Sequence, residues 1–330
     1  MKKFAAVIFL ITILGISTVG GTHLAKFLMA SNEEPSSPLA KDPISSPGSN
    51  SPIPGNGDEE KDGQTGGQVS DDPGDRTNTP GSQDSDSPGV VKDINNDLPP
   101  EQQDKTIFSW WFKRNPEHRP PEVETKAVET LKNKGVFLGK GSEKKVCLTF
   151  DEGYENGYTP RILDTLKNNA VPAAFFVTGD FAKKQPDLVK RMAAEGHIIG
   201  NHTTTHPSLP TITDREIRQE IKTTHDMVRD LTGVNMKFIR PPKGEYNSRV
   251  LTELNELGYS AVFWSMAYRD WEVDKQPGKE AALGHVMDNL HPGAVILLHA
   301  VSQSNTEALN DIIKGIRAEG YTFASLEELD

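Results

Sequence analysis

From Val123 to its C-terminus the chain alternates short β-rich apolar runs with segments of helical periodicity, and no other feature restricts the possible folds so tightly. The apolar runs are KVCLTF, AAFFV, HIIG, KFIR, YSAVFWSM, AVILLH and YTFASL, with a helical pattern in each gap between them. Strands that are apolar throughout are covered on both faces, so helices must flank the sheet and the strands must run parallel. The expected fold class is therefore α/β, with the sheet open or closed into a barrel. Local signals agree. TPRILDTLKNN reads as a helix with Thr159 as N-cap, Pro160 at N1 and Ile162, Leu163 and Leu166 on one face. PDLVKRMAAEG closes at Gly196, and a capping box of Thr213 with Glu216 opens a helix that runs to Gly233.

The N-terminal third cannot share that fold. Residues 31–107 contain no Phe, Trp or Tyr and are dominated by Pro, Gly, Ser, Asp and Asn. Such a segment cannot bury enough apolar surface to offset its ordering entropy, so a disordered linker is expected, with an r.m.s. span of roughly 50 Å for a coil of about 75 residues. Before it, two lysines precede an apolar run from Phe4 to Val19. This is the pattern of an export signal. LMA before Ser31 permits cleavage of segment 1–30, and the run is also long enough to stay in the bilayer as an anchor. The expected location is outside the cell, either free or anchored in the membrane. A net charge of −11 without a basic stripe excludes nucleic acid as the partner. The single Cys147, within an apolar run, reads as a small buried hydrophobe, so the domain, 108–330, must rely on its core.

Chemistry in parallel α/β sheets gathers at the C-terminal ends of the strands, where the βα loops meet. Asp151 and Glu152 follow the first run, His202 and His206 the third, Arg240 the fourth, Asp270 and Trp271 the fifth, and His299 ends the sixth. All of them fall on one rim. The histidines of NHTTTH are spaced i, i+4, which a helical turn would bring to one side, and two imidazoles with a carboxylate suit a divalent metal with open positions. Arg240 is placed to hold Asp151 ionised as a base, and Asp270 to orient His299 and raise its pKa as an acid. Leu297, Leu298 and Trp271 would form an apolar wall. The set fits hydrolysis of a small acyl group.

In this order LTFDEG, NHTTTH, RPPKG, YRDW and ILLH resemble the five motifs of the polysaccharide deacetylases with a NodB-homology domain. The resemblance implies a distorted (β/α)7 barrel. It implies Asp151 as base, Glu152, His202 and His206 as metal ligands, Asp270 and His299 as the acid and its tuning partner, and the N–H of Lys243 as an oxyanion donor. The divalent ion would be Zn, Mn or Co. Further segments, FDEGYENGYTPRILDTLK and LLHAVSQSNTEAL among them, are similar to the delta-lactam-biosynthetic de-N-acetylase branch, which removes acetyl from N-acetylmuramic acid of peptidoglycan on the route to the muramic delta-lactam of spore cortex. One position departs: the family motif carries Asp where this chain has Glu152. Glu, one methylene longer, would ligate, reach a displaced ion, or leave the metal to the two histidines and Asp151.

The expected partner is a peptidoglycan glycan strand, met by a monomer whose rim loops, with Tyr154 among them, shape the subsites. A muramic lactyl carboxylate needs a countercharge, for which Lys243 and Arg269 are the candidates. Two rival readings are an N-acetylglucosamine or chitin-oligomer deacetylase and an inactive glycan-binding wall module.

Overall fold

The computed structural model of the chain describes residues 99–329, apart from 115–116, 133–134 and 140–142. The expected export or anchor segment, 1–30, and most of the expected linker lie outside the described residues. Among the described residues no helix is long and apolar enough to cross a membrane.

The elements follow in chain order as β1 (Phe108–Ser109), α1 (Thr125–Leu131), β2 (Gly135–Val136), β3 (Lys145–Glu152), α2 (Thr159–Asn168), β4 (Ala173–Val177), α3 (Gly179–Lys184), α4 (Pro186–Ala194), β5 (Ile198–Asn201), α5 (Asp214–Thr232) and β6 (Phe238–Ile239). Then come β7 (Glu245–Tyr246), α6 (Ser248–Glu256), β8 (Ser260–Val262), α7 (Lys279–Met287), β9 (Ala294–His299), α8 (Gln303–Ala318), β10 (Thr322–Phe323) and α9 (Leu326–Leu329). The seven expected strands are β3, β4, β5, β6, β8, β9 and β10, and every pairing among them in the sheet is parallel. The sheet runs β10–β3–β4–β5–β6–β8–β2, with β9 against the other side of β3. Single bridges, Met266 to Ile296 and Leu138 to Ala294, bring the β8 side back to β9. The sheet is thus curled nearly shut, as the distorted barrel requires.

Side-chain alternation gives the curled sheet two faces. Val146, Leu148 and Phe150 of β3 point outward into the large core shared with Ile162, Leu163, Leu166, Ile312 and Ile316 of the helices. Cys147 points inward and packs with Phe176, Val262 and Val295. Burial pushes its thiol up to about 12, as expected of an inert residue. The capping box of α5 forms as expected, and Gly233 ends that helix at φ 77°, a left-handed geometry natural to glycine.

Three expectations need correction here. The N-cap of α2 is Tyr158, so Thr159 is its first helical residue and its hydroxyl is free for another partner. The YSAVFWSM run is a strand only over Ser260–Val262, after which the chain leaves the sheet and touches it again at Met266. The domain also begins before 108. Gln103 Oε1 accepts from Asp214 N at 3.1 Å, and Asn247 Nδ2 donates to Asp104 O at 3.0 Å and Thr106 O at 2.9 Å. This N-terminal strap continues into β1, which pairs antiparallel with β7.

Candidate active site

Asp151 is the last inward-facing residue of β3. Its register partner on β9 is His299, so the expected base and acid are cross-strand neighbours. Arg240, just beyond β6, has no exposure, and its guanidinium bonds to β3 and to the end of β8. Nη1 donates to Asp151 Oδ1 at 2.6 Å, Nη2 to Thr149 Oγ1 at 2.9 Å and Nε to Val262 O at 3.2 Å, while Cζ lies 4.1 Å from the centre of the Phe176 ring. Burial alone would raise the Asp151 pKa. Arg240, by charge and by hydrogen bond, outweighs it with help from the neighbouring His202 and His299 and holds the carboxyl below its ordinary range. Arg240 therefore acts through Asp151 and does not itself reach the substrate.

His202 and His206 do come together, with ring centres 4.8 Å apart in a T-shaped contact, though without the helical turn that their spacing invites. Thr203 and His206 instead adopt φ of 62° and 60°, left-handed values that cost a non-glycine residue about 1–2 kcal/mol each. Several bonds hold the turn. Asn201 Oδ1 accepts from Thr203 N at 2.8 Å, and Thr203 Oγ1 accepts from His206 N at 3.1 Å. Glu220 of α5 accepts from Thr204 N and Thr205 N, both at 2.8 Å, and from Thr205 Oγ1 at 2.9 Å. Gly179 lets the turn sit close, since a Cβ there would lie 2.9 Å from Thr204 Cγ2.

The donors of this pair suit a divalent cation. His202 Nδ1 donates to Arg240 O at 2.7 Å, which fixes the tautomer and leaves the Nε2 lone pair facing Asp151 Oδ2 at 3.5 Å. Burial holds both rings neutral, lowering the pKa of His202 and taking that of His206 down to about 3. Among the described residues no group of three His, Cys, Asp or Glu side chains stands close enough to hold an ion. Glu152 does not join the pair. As the residue after Asp151 it points to the outer face, where its fully buried carboxylate meets Thr159 Oγ1 of α2 at 3.3 and 3.4 Å. Burial, Glu155 and Asp151 push its pKa well up. Glu152 is thus not beside the histidines, and Asp151 is the carboxylate that faces them.

On β9 the His299 backbone N–H and Nδ1–H both donate to the buried Asp270, at 2.7 Å each. Burial alone would lower the His299 pKa, but Asp270, by charge and by hydrogen bond, and Asp151 raise it above the ordinary imidazole range. With Nδ1 engaged, Nε2 is the outward proton donor. Sequence reading missed the support behind Asp270. Asn305 of α8 donates to Asp270 Oδ2 and accepts from the Tyr268 hydroxyl. Gln276 Nε2 donates to Asp270 O at 2.7 Å, while its Oε1 accepts from Ser302 Oγ at 2.6 Å and Ser304 N at 3.0 Å. Asn305, Ser302 and Ser304 lie in a segment singled out for its resemblance, but their role as a clamp needs the fold.

Trp271 stands beside the acid, its ring centre 5.3 Å from that of His299. Leu297 shares the inward face of β9 with His299. Leu298 does not: alternation turns it outward into the helical core, so it leaves the expected wall. Tyr154 is exposed on the loop after β3. Lys243 follows β6 with φ 60° on a 3₁₀ turn, and its side chain is exposed. Arg269 is paired with Glu272 at 3.6 Å.

A curled parallel sheet whose rim sets a carboxylate opposite an imidazole, each held by its own buried partner, has the layout of a hydrolase of the acid–base type. The model of the family described as polysaccharide deacetylase matches residues 138–262. A peptidoglycan-N-acetylmuramic acid deacetylase of Bacillus subtilis, PdaA, is 46% identical over 224 residues, 67% of this chain and 85% of that protein. A solved structure of B. subtilis PdaA, described as a family 4 carbohydrate esterase, superposes with a TM-score of 0.67 at 45% identity, covering 68% of this chain and 97% of that one. A peptidoglycan-N-acetylglucosamine deacetylase of Bacillus cereus is 39% identical over 197 residues, 58% of this chain and 70% of that protein. The chain belongs to the polysaccharide deacetylase family, and it is a hydrolase.

Proposed function

We propose that this chain removes the N-acetyl group from N-acetylmuramic acid residues of peptidoglycan whose stem peptide is absent. The observation that carries this reading is the register pair Asp151–His299, each member held by its own buried partner, in a chain 46% identical to a muramic acid deacetylase. Asp151 takes a proton from water, whose oxygen attacks the acetyl carbonyl carbon. The oxyanion forms by the rim loop that carries Lys243, where the backbone N–H is the proposed donor. His299 Nε2–H then protonates the sugar nitrogen, the C–N bond breaks, and acetate and a free amine leave. An inactive binding module would have no use for this opposed protonation.

A divalent ion, Zn, Mn or Co, would be held by His202 and His206 with Asp151 Oδ2 alongside, and would supply polarisation of the acetyl carbonyl. In the product, the amine and the lactyl ether sit on neighbouring ring carbons, so the lactyl carboxyl can close a lactam onto the amine only when no peptide caps it. We further propose that the protein is exported, as a monomer, and reaches the wall either free or anchored by its N-terminal segment.

Acetate release from peptide-free muramyl glycan and from chitin oligomers of equal length tests the reading. The muramyl glycan should be turned over much faster, and a chelator should stop turnover until metal is returned. The reverse order of substrates would reassign the enzyme to glucosamine acceptors.

A further inference from the structure

Among the described residues three aromatic side chains are largely exposed: Trp111 and Tyr154 at 51% each and Trp271 at 41%. Tyr154 and Trp271 follow β3 and β8, so both stand on the catalytic rim. Trp111 belongs to the N-terminal strap, far from them in sequence, yet the strap is fastened to that same rim. Trp110 N donates to Gly244 O at 2.8 Å, and Trp110 Nε1 donates to Trp264 O at 2.8 Å. The Arg114 guanidinium donates to Ala267 O. Gly244 adjoins Lys243, and Trp264 and Ala267 lead into the loop of Asp270 and Trp271. The strap therefore joins the loop of the expected oxyanion donor to the loop that tunes the acid.

Trp110 is the buried anchor, 4% exposed and packed on Phe137 and Phe263 with ring centres 4.9 and 5.0 Å away. Trp111, next along an extended strap, makes no hydrogen bond and no ring contact among the described residues, so its indole face and N–H are both open. A single exposed apolar residue is ordinary. Three exposed aromatic rings confined to one end of the barrel, the end that carries the chemistry, are not explained by folding. A pyranose presents an apolar C–H face with hydroxyls at its edge, which matches an indole that offers a flat apolar surface and one N–H donor.

We infer that Trp111 is a glycan-binding residue that stacks on a sugar of the strand beyond the one being deacetylated, and so makes the N-terminal strap part of the substrate groove. The inference rests on the reading of the chain as a glycan deacetylase. The full-length protein and its Trp111→Ala and Trp111→Tyr variants should be compared on a disaccharide and on an octasaccharide of peptide-free muramyl glycan, with kcat and KM measured separately. For Trp111→Ala the octasaccharide KM should rise about tenfold, the usual size of an aromatic stacking contribution, with kcat within about twofold. Disaccharide kinetics should be unchanged, and Trp111→Tyr should restore most of the affinity. An unchanged octasaccharide KM, or an equal loss on both substrates, would overturn the inference, as would a wild-type dimer in sedimentation that Trp111→Ala dissolves. A wild type that turns over chitin oligomers instead would sink only the muramic acid reading, because the same length comparison then runs on chitin.

Discussion

Arg240 can be buried because Asp151 is charged, and Asp151 stays charged because Arg240 is buried beside it. Removing one leaves the other in a site that cannot solvate it. Asp151→Asn should therefore lower kcat by about 10²–10⁴ and also lower the unfolding temperature, whereas His299→Ala, at a half-buried position, should cost as much in kcat with little change in unfolding. Steady-state kinetics and thermal denaturation of the two variants check both halves. The pH profile follows from the signs of the two shifts. Asp151 must be ionised, and its pKa is lowered, so the acid limb of kcat/KM should lie below the free aspartate value of about 3.9. His299 must be protonated, and its raised pKa puts the alkaline limb above the free imidazole value of about 6.5. Asp270→Asn removes the charge that raises it, so the alkaline limb should move to lower pH; a limb that stays in place would show that another group supplies the proton. Rim membership was legible from residue order alone, but the face of a strand was not used: alternation sends Glu152 and Leu298 outward and keeps Asp151, Leu297 and His299 inward.

At the scale of elements, the long helices and the parallel strands were readable because periodicity and caps repeat over many residues. Short pieces were not. The six residues of α3 are too few for a periodic pattern, and β2 is a Gly-Val pair. The His202–His206 turn shows a deeper limit, because nothing in NHTTTH announces left-handed backbone at a threonine and a histidine; tertiary bonds from Asn201 and Glu220 impose it. Glu220→Ala deletes three acceptor contacts and should let the turn relax, weakening Zn²⁺ binding or kcat/KM by about 10–100-fold, the usual range for a residue behind metal ligands. Glu220→Gln should retain most of both. Its carbonyl oxygen can take the two backbone N–H groups, and its amide can donate to Thr205 Oγ1. Calorimetric titration with Zn²⁺ and matched kinetics decide the matter. Equal loss in both variants would mean that the charge of Glu220, rather than its hydrogen bonds, matters.

For the whole molecule the question is where the catalytic unit begins. Composition locates the change from polar linker to folded domain only coarsely, because residues 99–107 lack aromatics and resemble what precedes them. The contacts place it earlier. Asn247 is fully buried and caps α6 by accepting from Val250 N at 2.9 Å, and both of its amide acceptors, Asp104 O and Thr106 O, are strap backbone. Arg249 Nε donates to Asp104 O at 2.8 Å as well. A chain starting at residue 99 keeps all of these and should match the full-length protein in kcat/KM. One starting at residue 108 leaves the Asn247 amide buried and unpaired, at a cost of about 1–3 kcal/mol before the other lost bonds are counted. For a domain of this size that corresponds to a fall of roughly 5–10 °C in the unfolding temperature, with activity at low temperature largely kept. A start at residue 115 also removes Trp110, whose burial against Phe137 and Phe263 is worth about 3–5 kcal/mol, together with the strand that pairs with β7 beside Lys243. That chain should lose both stability and kcat. Thermal denaturation and acetate release from the three truncations give the comparison, and identical unfolding temperatures for the starts at 99 and 108 would show that the strap is not part of the folded unit.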